Sequence, residues 1–121
     1  MSATEDLSPV AVEAAIRECS NRIAKGVAVC ADRQSALLRA EHAYDVAYAR
    51  AYLEAADQPA HARKYIAELA TAEERSARDV AEVAYRHAER QAKALDSELR
   101  SWQSINASIR TQWGVAGVGE R

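Results

Sequence analysis

Between Ala60 and Trp113 the chain contains neither glycine nor proline. A sheet protein needs turn residues every few positions to reverse its strands. Only helix can continue through so long a stretch without them. Alanine, the strongest helix former, supplies 28 of the 121 residues. Leu, Ile and Val together number 21, fewer than a globular core of this length normally draws on. The residues predict an all-α protein: a long antiparallel helical hairpin or coiled coil, completed by oligomerisation.

Ser8-Pro9 reads as a helix start, with Ser at the N-cap and Pro at the first helical position. From there a spacing of threes and fours visits Val12, Ile16, Cys19, Ile23, Gly26, Cys30, Arg33, Leu37, Ala40, Tyr44, Ala47 and Ala51. Gly26 and Arg33 are its weak points. Gly26 either divides a short helix from a longer one or admits a second helix at close range. A continuous helix is the preferred reading.

Asp57-Gln58-Pro59 marks a corner. No glycine follows, so the corner lacks the usual left-handed cap residue. The domain reading is a disordered start over 1–8, one helical domain over 9–113 and a flexible tail over 114–121. Within the domain, a first arm covers 9–56, a turn 57–60 and a second arm 60–113. Thr71-Ala-Glu-Glu74 matches a capping box, which leaves open a further break at Thr71.

The second arm carries its own seam: Ala77, Ala81, Ala84, Ala88, Ala92, Leu95, Leu99, Trp102, Asn106, Ile109 and Trp113. One extra residue between Ala88 and Ala92 is a stutter, which locally unwinds a supercoil. Asn106 is the kind of polar seam residue that sets register. Glu74–Arg78, Glu82–Arg86, Glu89–Lys93 and Asp96–Arg100 are i,i+4 pairs with the acid first, each worth ~0.2–0.5 kcal/mol. Helices of about 45–50 residues reach ~70 Å, and a lone hairpin of that length has little core. A homo-oligomer, a dimer first, is therefore expected.

Cys19 and Cys30 stand eleven residues apart. On one helix that is about 16 Å along the axis, too far for a disulfide. Both are expected as free thiols at a helix interface. His42, His61 and His87 are scattered, with no H-x-x-x-H and no E-x-x-H, so no metal and no cofactor is expected. No phosphate-binding glycine loop and no nucleophile elbow is present. The chain is read as not an enzyme. Its start has no apolar signal region, no segment approaches a membrane span, and the net charge is only −2. A cytoplasmic protein follows, with no membrane partner.

Two groups of residues are candidates for interaction. Tyr44, Tyr48 and Tyr52 form an i,i+4,i+8 ladder. Its plainer role is to pad the edge of an Ala-rich interface; its sharper one is to stack unpaired bases or fill a partner's groove. The stretch Leu99–Trp113 holds both Trp, two Arg and no acid. Trp102, Ile105, Ile109 and Trp113 are expected to pack on the first arm. The functional alternative is a docking site built on Trp102, Arg110 and Trp113, with Trp113 the better candidate.

Thr71-Ala-Glu-Glu-Arg75, Asp79-Val-Ala-Glu-Val-Ala-Tyr-Arg86 and Gln103-Ser-Ile-Asn-Ala-Ser-Ile-Arg110 resemble segments of short, Ala/Arg/Glu-rich helical proteins encoded by actinobacterial phages. The likeness covers roughly 60–113. It implies a small phage accessory factor in the bacterial cytoplasm, acting in DNA recombination or replication through a protein partner or single-stranded DNA. It assigns no catalytic or binding residue. Two further functions fit the residues: an adaptor or inhibitor of a host protein without nucleic acid, and a virion assembly or scaffolding component.

Overall fold

The computed structural model describes residues 7–119, with side chains over 7–114. Among the described residues the regular elements are helices: α1 (Pro9–Glu54), α2 (Ala60–Ala70) and α3 (Ala72–Gly119). The protein is all-α, as the glycine- and proline-free stretch requires.

α1 opens as the sequence predicts. Ser8 caps it, its Oγ accepting from the Ala11 N–H at 3.2 Å and its carbonyl from the Val12 N–H at 3.0 Å. The helix then runs unbroken through Gly26. A Cβ built on Gly26 meets nothing within 4 Å, so this glycine neither breaks the helix nor admits a neighbour.

Beyond Glu54 the backbone tightens. Gln58 N–H reaches the Ala55 carbonyl at 2.9 Å, and no described residue takes a positive φ. A side chain closes the corner in place of glycine. Arg63 donates from Nε to the Gln58 carbonyl (2.7 Å) and from Nη2 to the Ala56 carbonyl (2.8 Å), satisfying carbonyls of the turn that follows α1.

The second arm does break at Thr71, but without the capping box. The Thr71 hydroxyl donates backward to the Ala67 carbonyl at 2.7 Å instead of accepting from the turn ahead. Glu74 Oε2 is enclosed with no hydrogen-bond partner. Thr71 N–H closes α2 on the Ala67 carbonyl at 3.1 Å, and Arg75 N–H opens α3 on the Thr71 carbonyl at 3.0 Å, so this residue ends one helix and starts the next.

α3 continues past Trp113 to Gly119. The tail expected over 114–121 is helical that far, because extending a helix already formed avoids the cost of nucleating one. Residues 1–6, 120 and 121, also part of the expected ends, lie outside the described residues.

The described contacts fall into two units. One joins the chain up to Ala28 with the chain from Arg90; the other is Val29–Glu89. The boundaries lie two residues beyond Gly26 and within the Ala88–Ala92 stutter. In the first unit Val12, Cys19 and Ile109 are buried. Glu13 faces Arg110 at 3.7 Å and Arg22 faces Glu98 at 3.4 Å, so its two segments run in opposite directions. In the second unit Ala55, Ala67, Thr71 and Ala88 are buried. Alanine permits close helix contact there but withdraws little apolar surface.

Most of the expected seam is covered. Arg33, its doubtful member in α1, is exposed, and so is Ala77 in α3. Glu74, Arg75 and Arg78 are the half-buried positions of that turn. Arg78 turns inward onto Tyr44, which moves the contact off Ala77. Of the surface pairs, Glu82–Arg86 forms at 3.0 Å and Asp96–Arg100 at 3.9 Å. Arg78 pairs with Asp79 at 3.2 Å in place of Glu74.

Candidate interaction surfaces

In the first unit the Ser- and Thr-rich end of α3 holds its hydroxyls locally. Ser101 Oγ donates to the Ser97 carbonyl (3.1 Å) and Thr111 Oγ1 to that of Ala107 (3.0 Å). This satisfies groups that otherwise compete with the helix backbone. Trp102, Ile105 and Asn106 are half-buried and Ile109 is buried. Asn106 stands on the seam as expected, its Oδ1 enclosed without a partner.

Trp113 does not join this packing; it is 63% exposed. Glu13 faces Arg110, so Trp113 comes level with the first turn of α1, where Val10 is itself exposed. Beside this region a shallow groove of about 400 Å³ is lined by Leu7, Ser104, Ile105, Ser108, Ile109 and Gln112. Arg110 is exposed and has Glu13 as its nearest charge partner, so any external anion competes with that carboxylate.

In the second unit the tyrosines do form a ladder. The Tyr44 and Tyr48 ring centroids are 6.0 Å apart and tilted by 53°, and those of Tyr48 and Tyr52 are 6.4 Å apart at 25°. All three are half-buried. Arg78 covers the first ring, its Cζ 4.6 Å from the Tyr44 centroid. The ladder is therefore engaged within the fold, as padding of an Ala-rich contact would be. At the corner lies a smaller groove of about 280 Å³, bordered by Ala51, Ala55, Ile66 and Ala70.

Two groups titrate away from their ordinary ranges. Burial pushes the Cys19 thiol up, and the Glu98 carboxylate adds to the shift; its Sγ donates to the Leu95 carbonyl at 3.3 Å. Burial likewise raises Tyr85, with Glu89 contributing. Neither group lines one of these grooves. Both cysteines are free, Cys19 buried and Cys30 half-buried. Among the described residues no cluster of His, Cys, Asp and Glu is placed to hold a metal ion, and no helix is long and apolar enough to cross a membrane.

The tyrosines and the Trp/Arg stretch lie in different units. Sequence reasoning passed over the large apolar side chains exposed on α2 and early α3, namely Tyr65, Leu69, Val80 and Val83. Their signal was a spacing of threes and fours on the face away from the seam. Compared with known proteins, the chain matches no family model, no curated protein and no solved structure.

Proposed function

We propose that the chain is a non-enzymatic helical accessory protein of a phage, acting in the bacterial cytoplasm by binding a protein partner during DNA recombination or replication. Its two arms fold as an antiparallel helical hairpin and are completed by a second copy. The observation that carries this reading is the exposure of Trp113 (63%) one turn beyond the buried Ile109. A large indole left in water at the end of an otherwise packed seam is the kind of residue on which protein interfaces concentrate their energy.

A protein partner is favoured over single-stranded DNA. The net charge is −2, and phosphate neutralisation dominates nucleic-acid affinity. The tyrosine ladder, the other base-stacking candidate, is already half-buried, and Arg78 lies over its first ring.

The test is capture from infected-cell lysate with tagged wild type and Trp113→Ala, each with and without nuclease. A partner that survives nuclease and is lost with Trp113→Ala is the expected result. Loss on nuclease treatment alone shifts the reading to nucleic acid. Undiminished capture by Trp113→Ala overturns the assignment of this surface.

A further inference from the structure

The two units carry opposite charge. Over residues 7–28 and 90–114 the chain holds seven Lys and Arg against four Asp and Glu, a net +3; over 29–89 it holds eight against eleven, a net −3. With its terminal residues included the first unit is still positive, at eight against seven. Within that unit lies a surface almost without charge. From Leu7 to Val12 and from Ser101 to Gly114, Arg110 is the one charged residue, in a chain that is 28% charged. Val10 and Trp113 are exposed there. Trp113 follows Ile109 by one turn, and Ile105 and Ile109 are the apolar lining of the groove of about 400 Å³. Arg110 stands three residues before Trp113, so the two side chains are neighbours on the helix surface.

We infer that this surface takes a segment of a partner protein in which a large apolar side chain stands beside a carboxylate. The inference rests on the docking role proposed above for Trp113 and names the chemistry of what docks there. The apolar side chain lies against the exposed indole. The carboxylate goes to Arg110, whose planar guanidinium can donate to both of its oxygens. Arg110 is open to exchange. Its contact with Glu13 is 3.7 Å long, and the two side chains are 70% and 52% exposed; an ion pair so open to water holds its partners weakly. A basic segment is repelled by the positive unit, and so is a second copy of that unit. Single-stranded DNA needs a run of cations along its backbone, and this surface offers one arginine.

The two parts of the contact respond differently to salt. The pull of the positive unit and of exposed Arg110 on a carboxylate is screened as ionic strength rises, and the burial of an apolar side chain against Trp113 is not. Binding of an acidic segment should therefore weaken with salt toward the level of an uncharged segment of the same apolar content.

Fluorescence anisotropy with the full chain at about 50 mM salt tests this against four labelled probes. Three are ten-residue peptides that share two leucines and carry four Asp, four Ser or four Lys; the fourth is a ten-nucleotide oligothymidylate. The Asp peptide is expected to bind about fivefold more tightly than the Ser peptide, and the Lys peptide and the oligonucleotide more weakly than either. Arg110→Gln should bring the Asp peptide down to the level of the Ser peptide. Glu13→Gln, which removes the competing carboxylate, should tighten it. Trp113→Ala should weaken both peptides. All three positions are exposed, so circular dichroism should show helix content unchanged. An Asp peptide that binds no better than the Ser peptide, or that Arg110→Gln leaves unaffected, overturns the acidic segment; Trp113 then stands as a docking residue if Trp113→Ala still weakens both. Peptide binding that Trp113→Ala leaves unchanged overturns the inference together with the docking role of Trp113. Tightest binding by the oligonucleotide overturns the protein segment in favour of nucleic acid, and no binding of any peptide overturns the inference.

Discussion

The guanidinium of Arg78 lies over the ring of Tyr44, with its Cζ 4.6 Å from the centroid. This contact joins the middle of α1 to the early part of α3 in a unit whose buried residues are alanines and one threonine. Where so little apolar area is withdrawn, a single cation–aromatic contact carries more of the packing than it would in a larger core. A half-buried pair of this kind contributes ~0.5–2 kcal/mol. Arg78→Ala and Tyr44→Leu should each lower stability by about that much and by less than the sum when combined. A double-mutant cycle in urea measures the coupling, and a coupling of zero means that the contact stabilises nothing.

Gly26 occupies the interior of α1 with open space at its Cβ. Gly26→Ala should stabilise the protein by about 0.5–1 kcal/mol, since it removes the helix penalty of glycine and introduces no clash. A higher urea midpoint at unchanged slope is the expected observation. A loss of stability would show that the helix needs glycine there.

Ile109 and Trp113 are neighbours on one face with opposite burial. Ile109→Ala should cost about 2–5 kcal/mol through the lost transfer energy and the cavity left behind. Trp113→Ala should stay within about 0.5 kcal/mol of wild type. Thermal melts of the two variants, side by side, would contradict the placement of these residues if Trp113→Ala proved the more damaging.

Cys19 and Tyr85 both have their proton loss pushed to higher pH by burial, with Glu98 and Glu89 as added causes. The unfolded chain therefore releases these protons first. The stability linked to them is complete below the unfolded values, ~8.5 for Cys and ~10 for Tyr, and is lost as pH rises through the higher folded values. Urea midpoints should fall between pH 8 and 11, less steeply in Tyr85→Phe. At neutral pH a thiol reagent should label half-buried Cys30 well before buried Cys19. Equal labelling rates in the folded protein would contradict the burial of Cys19.

The elements themselves were legible in the residues. The cap at Ser8, the corner at Asp57–Pro59 and the seam through Val12, Cys19 and Ile109 follow from local chemistry and from a repeat close to 3.6. Such features depend on residues within one or two turns of each other, so sequence alone determines them. Tertiary contact decided the rest. Arg63 closes the corner by reaching carbonyls five and seven residues back, and Thr71 turns its hydroxyl to Ala67 rather than forward. Arg78 leaves Glu74 for the Tyr44 ring. Trp113 stays exposed although Ile109, one turn before it on the same face, is buried. Periodicity says which residues share a face. Only the folded chain decides whether another helix is there to cover it.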